Sequence, residues 1–175
     1  MDQPDLKQIQ AAVAQDPRNA QLHYLLGAEL AQQKEYSAAV VEMNNALELD
    51  PSLHFARFQL GLLYLTMAQP DNSIATWAPL EALEETAALK FFKRGLEALI
   101  RDDFGSCIAL LRQGIELNTQ NAPLNRDMGL VIERVNQTQP PVVAPAIAPA
   151  VAPAQQREGV RTDFSLYGDP TQTKH

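Results

Sequence analysis

The spacing of four glycines limits this chain more than any other feature. Gly27, Gly61, Gly95 and Gly129 are 34 residues apart at every step, and the chain holds only eight glycines in all. Chance does not readily place half of them on one lattice. Leu26, Leu60 and Met128 put a large apolar residue before three of these glycines, while Arg94 departs from that pattern. Three residues after the glycines stand Leu30, Tyr64, Ala98 and Ile132. Pro17 and Pro51 are also one period apart, with Glu85 and Thr119 at the later equivalents. A fixed period of this length means one repeated supersecondary unit. No unit buries its apolar face alone, so several must stack.

The units read as helix pairs. Aromatic residues are 6% of the chain and Ala is abundant, which suits helices more than sandwiches or barrels. The apolar periodicity predicts helices over 5–15, 20–33, 37–49, 54–67, 71–84, 88–101, 104–117 and 122–137. The first reads as the second half of a missing repeat, with Ile9, Ala12 and Val13 inward and Pro17 as its stop. The last reads as a capping helix that turns Arg126, Asp127, Glu133 and Arg134 to water, as the end of a stack requires. Pro79 falls inside the 71–84 segment, where a regular helix would lose a hydrogen bond at a cost of about 3 kcal/mol. A kink or break is expected there, either as decay of the repeat or as a widening of a ligand groove.

These positions resemble the tetratricopeptide pattern, W-x2-L-G-x2-Y, then A-x3-F, then P, in 34 residues. The first full repeat reads His23, Leu26, Gly27, Leu30, Ala39, Met43, Pro51. The second reads Arg57, Leu60, Gly61, Tyr64, Ser73, Trp77, Glu85, and the third Phe91, Arg94, Gly95, Ala98, Cys107, Leu111, Thr119. The resemblance implies an all-α fold: a right-handed superhelical stack of antiparallel helix pairs, with about three repeats and flanking capping helices. The glycine fits where the two helices of a repeat cross closely. Three regions are expected: a repeat domain over 1–138, a Pro/Ala-rich linker over 139–156 and a flexible, disordered tail over 157–175. The linker carries Pro140, Pro141, Pro145, Pro149 and Pro153, which favour an extended spacer of about 3.1 Å per residue.

Composition excludes some functions. A net charge of −7 argues against nucleic acid, whose phosphates call for clustered Lys and Arg. No stretch reaches the roughly 18 apolar residues of a membrane span, and the first ten residues are polar, unlike a signal segment. Cys107 has no second cysteine to pair with, which suits a reducing compartment, so a cytoplasmic location is expected. His23, His54 and His175 lack metal-ligand spacing, and no phosphate loop or dinucleotide fingerprint is present. Cys107 replaces a small packing residue and reads as a structural thiol. Asp102–Asp103 and Glu84–Glu85 read as solvated turns. Neither enzyme activity, a metal nor a cofactor is expected.

The remaining signal is a second apolar stripe. Residues 54–67 are apolar on almost every side, although a helix packed on one face needs one stripe. Phe55, Phe58, Leu62 and Leu65 form the extra stripe, and Leu89, Phe92, Leu96 and Leu99 repeat it one period later. Tyr24 and Arg126 hold equivalent positions in the flanking repeats. The resemblance implies that these positions line the concave groove, where they would hold an apolar or amphipathic segment of another protein. An adaptor or a dedicated chaperone is therefore expected, and the size and three-repeat build resemble small secretion chaperones. The Lys, Arg and Asn of the heat-shock carboxylate-clamp subgroup are not in place. An alternative puts the action in the tail, where Phe164, Leu166 and Tyr167 would recruit a second partner or fold back into the groove.

Overall fold

The computed structural model describes residues 5–138, and the calls for the linker and tail lie outside the described residues. Helices α1 (Leu6–Gln15), α2 (Ala20–Gln32), α3 (Tyr36–Leu49) and α4 (His54–Thr66) are followed by α5 (Pro70–Trp77) and a 3₁₀ turn (Ala78–Ala82). Then come α6 (Ala88–Ile100), α7 (Phe104–Leu117) and α8 (Ala122–Thr138). Among the described residues there is no strand. Local signals set the starts. The Asn19, Asp103 and Asn121 side chains each accept a hydrogen bond from a backbone N–H three residues on, which satisfies a donor the helix leaves free. Pro70 opens α5, where its missing N–H costs nothing.

A second 34-residue lattice sits in the turns within each pair. Lys34, Ala68 and Asp102 adopt left-handed φ values of 64°, 56° and 58°. After each, the next N–H bonds back five residues: Glu35 to Leu30, Gln69 to Tyr64, and Asp103 to Ala98. That bond closes the preceding helix and reverses the chain, a job usually given to glycine. None of the three is glycine, so the motif escapes a sequence reading.

The glycine lattice has the expected cause. A Cβ on Gly27 would stand 2.7 Å from Met43 Cγ, and one on Gly95 2.7 Å from Leu111 Cδ2. On Gly61 it would stand 2.0 Å from Trp77 Nε1. Gly129 holds the same lattice position, but nothing lies within 4 Å of its Cβ site, because no helix follows α8 among the described residues. There, glycine serves no crossing and costs helix stability. Gly129→Ala is therefore expected to stabilise the fold by about 0.5–1 kcal/mol, read as a higher urea midpoint.

The expected break at Pro79 is present. α5 runs 8 residues where α3 runs 14, and the chain continues as the 3₁₀ turn. Leu80 is fully buried as a result. Within this short pair, Trp77 Nε1–H donates to the Phe58 carbonyl at 2.9 Å, and the Ser73 hydroxyl donates to the Gly61 carbonyl at 2.9 Å.

Two cores result, and α4 belongs to both. Ala56, Leu60 and Leu63 join Leu26, Leu30, Met43 and Leu47. Phe58 and Leu62 join Trp77, Leu80, Phe92, Leu96 and Leu111. A helix buried on two sides is apolar all round.

Candidate functional site

The two-sided burial of α4 corrects the expected groove. Phe58, Phe92 and Leu96 are 0% exposed, and Leu62 and Leu99 are 7% exposed. These five are not an open wall. They form the seam between the second and third repeats, where the Phe58 ring stacks on Trp77 at 5.8 Å and meets Phe92 at 6.1 Å. Tyr24, Phe55, Leu65 and Leu89 are partly buried, and Arg126 is exposed. The break at Pro79 does not widen a groove. It drops Leu80 into the seam and brings the following acidic residues onto α6.

What stays open is a cleft of about 120 Å³ between α4 and the N-terminal end of α8. Its apolar lining is Phe55, Leu62, Pro123 and Leu124, and its polar lining is Gln59, Asn121 and Asp127. Phe55 and Pro123 hold the same lattice position two repeats apart, so the superhelix curves tightly enough for α8 to return towards α4. Tyr24 on α2 extends the wall. Its hydroxyl donates to Gln59 Oε1 at 2.8 Å, and its ring meets Phe55 edge-on at 6.4 Å. Burial pushes the Asp127 carboxyl above its ordinary range, and the nearby Arg126 charge offsets this only in part.

The cleft is small beside the few hundred Å³ of a small-molecule site. It has room for about one apolar side chain, with amides and a carboxylate at its edge. Sequence reasoning found Phe55 and Leu62 and places Pro123 at the equivalent position of the last helix, but missed Gln59, Asn121, Leu124 and Asp127.

Two other groups of polar contacts centre on buried side chains, Lys90 and Lys93 in one and His23 in the other. Lys90 donates to the Leu83 carbonyl at 2.9 Å and pairs with Glu85, while Lys93 pairs with Glu81 at 2.8 Å and Glu97 at 3.2 Å. Arg94 pairs with Glu81 and Glu85. Glu85 is thus not merely a solvated turn residue. Hydrogen bonds from Arg94 and Lys93 hold the Glu81 carboxyl down at about 2. These contacts strap the segment after Pro79 onto α6. Cys107 is buried, which with the Asp103 charge lifts its thiol to about 11, so it stays protonated at neutral pH.

His23 is the second group. Its Nδ1 lies 2.6 Å from Glu42 Oε2, and its Nε2 lies 3.1 Å from the Pro17 carbonyl. Both neighbours only accept, so only the imidazolium, with two N–H groups, donates to both. Burial opposes the charge. The hydrogen bonds to Glu42 and Pro17 and the Glu42 charge outweigh it, and the pKa rises above 6.5. A raised folded-state pKa gives stability that is complete below pH 6.5 and lost as pH climbs through the folded value. The thermal midpoint is therefore expected to fall between about pH 6 and pH 8, and to fall less in Glu42→Gln. Calorimetry at constant ionic strength checks this.

The tail residues Phe164, Leu166 and Tyr167 lie outside the described residues. Among the described residues, no group of His, Cys, Asp and Glu has the geometry to hold a metal, and no helix is long and apolar enough to cross a membrane.

Comparison with known proteins adds the following. Residues 20–53 match the family model for the tetratricopeptide repeat. No curated protein matches the chain in sequence. Among solved structures, the chain is similar to MamA 41-end from Desulfovibrio magneticus RS-1, with a TM-score of 0.54 at 16% identity, over 75% of this chain and 78% of that one. A MamA RS-1 double mutant gives the same values. At this identity the likeness bears on the fold alone.

Proposed function

From the match of residues 20–53 to the tetratricopeptide-repeat family model, we propose that the chain is a tetratricopeptide-repeat protein and a protein-interaction adaptor whose cleft between α4 and α8 holds a short segment of another polypeptide. One observation carries the reading. Helices two repeats apart converge on a space of about 120 Å³, which suits a side chain of a docked peptide rather than a free small molecule. The closed seam favours an adaptor over a dedicated chaperone, because a long apolar guest needs more open apolar wall than Phe55, Leu65 and Leu89 provide. Nothing in the cleft lining pairs a nucleophile with a base, which weighs against an enzyme. A cytoplasmic location belongs to the same proposal and rests on the lone thiol, Cys107.

Site-specific photocrosslinking in cells tests it. A crosslinker at Gln59 is expected to trap a defined polypeptide, whereas one at Val41, exposed on α3 and outside the cleft, traps none. Phe55→Asp should lower the yield at Gln59 about tenfold, the effect of roughly 1.4 kcal/mol. Equal trapping at Val41, or a yield indifferent to Phe55→Asp, would remove the reading.

A further inference from the structure

The cleft holds one half-buried carboxylate, that of Asp127. No hydrogen-bond donor among the described residues reaches the Asp127 carboxylate, although burial disfavours its charge. Beside it lies an apolar floor of Phe55, Leu62 and Leu124. A segment that satisfies both halves carries a large apolar side chain near a cation.

The chain itself leads such a segment away from the site. Helix α8, which carries Asp127, runs on to Thr138, so the chain leaves about 17 Å from the cleft. The extended spacer expected from the prolines of residues 139–156 reaches up to about 55 Å, more than the return path requires. Beyond it stand Arg161, Thr162, Asp163 and Phe164, and Phe164 and Tyr167 are the only Phe, Tyr or Trp after α8. A segment on such a tether meets the cleft within one molecule, so its occupancy does not depend on protein concentration.

We infer that residues 161–167 of this chain occupy the cleft when no partner is bound, with Phe164 on the apolar floor and Arg161 against Asp127. A partner must then displace the tail, so the tail sets the threshold for binding. This rests on the reading of the cleft as the binding site.

The test uses the full chain, purified and without partner, with a benzophenone amino acid in place of Leu166. Illumination is expected to give crosslinks within one molecule to peptides from 54–66 or 122–138, in a yield independent of protein concentration. Arg161→Glu should lower that yield about fivefold, the effect of roughly 1 kcal/mol, and adding Asp127→Arg should restore it. Crosslinks that miss both helices, or that form only between molecules and grow with concentration, would overturn the inference. So would a yield indifferent to Arg161→Glu. No partner is present, so these failures leave the adaptor reading to the Gln59 experiment. Loss of partner crosslinks at Gln59, with the intramolecular crosslink intact, would remove the adaptor reading alone. If both hold, Phe164→Ser raises partner trapping at Gln59 severalfold.

Discussion

Phe92→Asp is expected to unfold the second and third repeats together. Phe92 is 0% exposed and touches Phe58 across the seam. Losing a buried Phe side chain costs about 3–5 kcal/mol. A carboxylate in the same apolar place adds a penalty of several kcal/mol, or takes up a proton instead. The sum is comparable with the roughly 5–15 kcal/mol that holds a domain folded. Circular dichroism should show a large loss of helix, and hydrogen exchange should show α4 to α8 unprotected. The same change at Phe55, on the cleft wall, should cost about 1 kcal/mol or less and leave helicity intact. A folded Phe92→Asp protein would mean that the side chain has room to face water.

Gly61→Ala is the second large effect. The added Cβ would stand 2.0 Å from Trp77 Nε1 and 2.3 Å from Cε2. The indole has little freedom to retreat, since it is fully buried, stacks on Phe58 and donates to the Phe58 carbonyl. Forcing the ring aside costs about 1–3 kcal/mol in overpacking. Stranding its N–H adds about 1–3 kcal/mol. Alanine's better helix propensity returns at most about 1 kcal/mol. A net loss of about 2–4 kcal/mol is expected, measured by urea unfolding. The same substitution at Gly129 stabilises, so the sign reports whether a second helix presses on the glycine.

The glycines made the architecture legible because a close helix crossing is a requirement on one residue. A forbidden Cβ leaves its mark in the sequence at every repeat, and helix boundaries followed within one or two residues outside the Pro79 region. Pro79 was legible for the same reason, since it removes one specific donor. The sense of the second stripe was not. Phe58 and Phe92 would look the same in an open groove and in a closed seam. The difference lies in the small rotation between successive repeats, which no single residue carries. Burial of Lys90 and Lys93 was hidden too, because it needs Glu81 and Glu85 to arrive on α6 by way of the broken helix. Left-handed turns at Lys34, Ala68 and Asp102 were hidden because none of the three is glycine. Half of the cleft was out of reach for a further reason. Leu124 and Asp127 belong to a helix, with Asn121 just before it, that reads as a polar cap, and only the curvature of the whole stack brings it over α4.

The account depends on a closed seam beside an open cleft, and hydroxyl-radical footprinting of the Phe164→Ser chain, in which the tail no longer covers Phe55, reads both at once. After correction for intrinsic reactivity, Val41, Leu130 and Phe55 should be labelled readily, while Phe58, Phe92 and Leu96 stay protected until the protein unfolds. Labelling of Phe58 and Phe92 as fast as Phe55 in the folded protein would contradict the account, because the second stripe would then be an open groove.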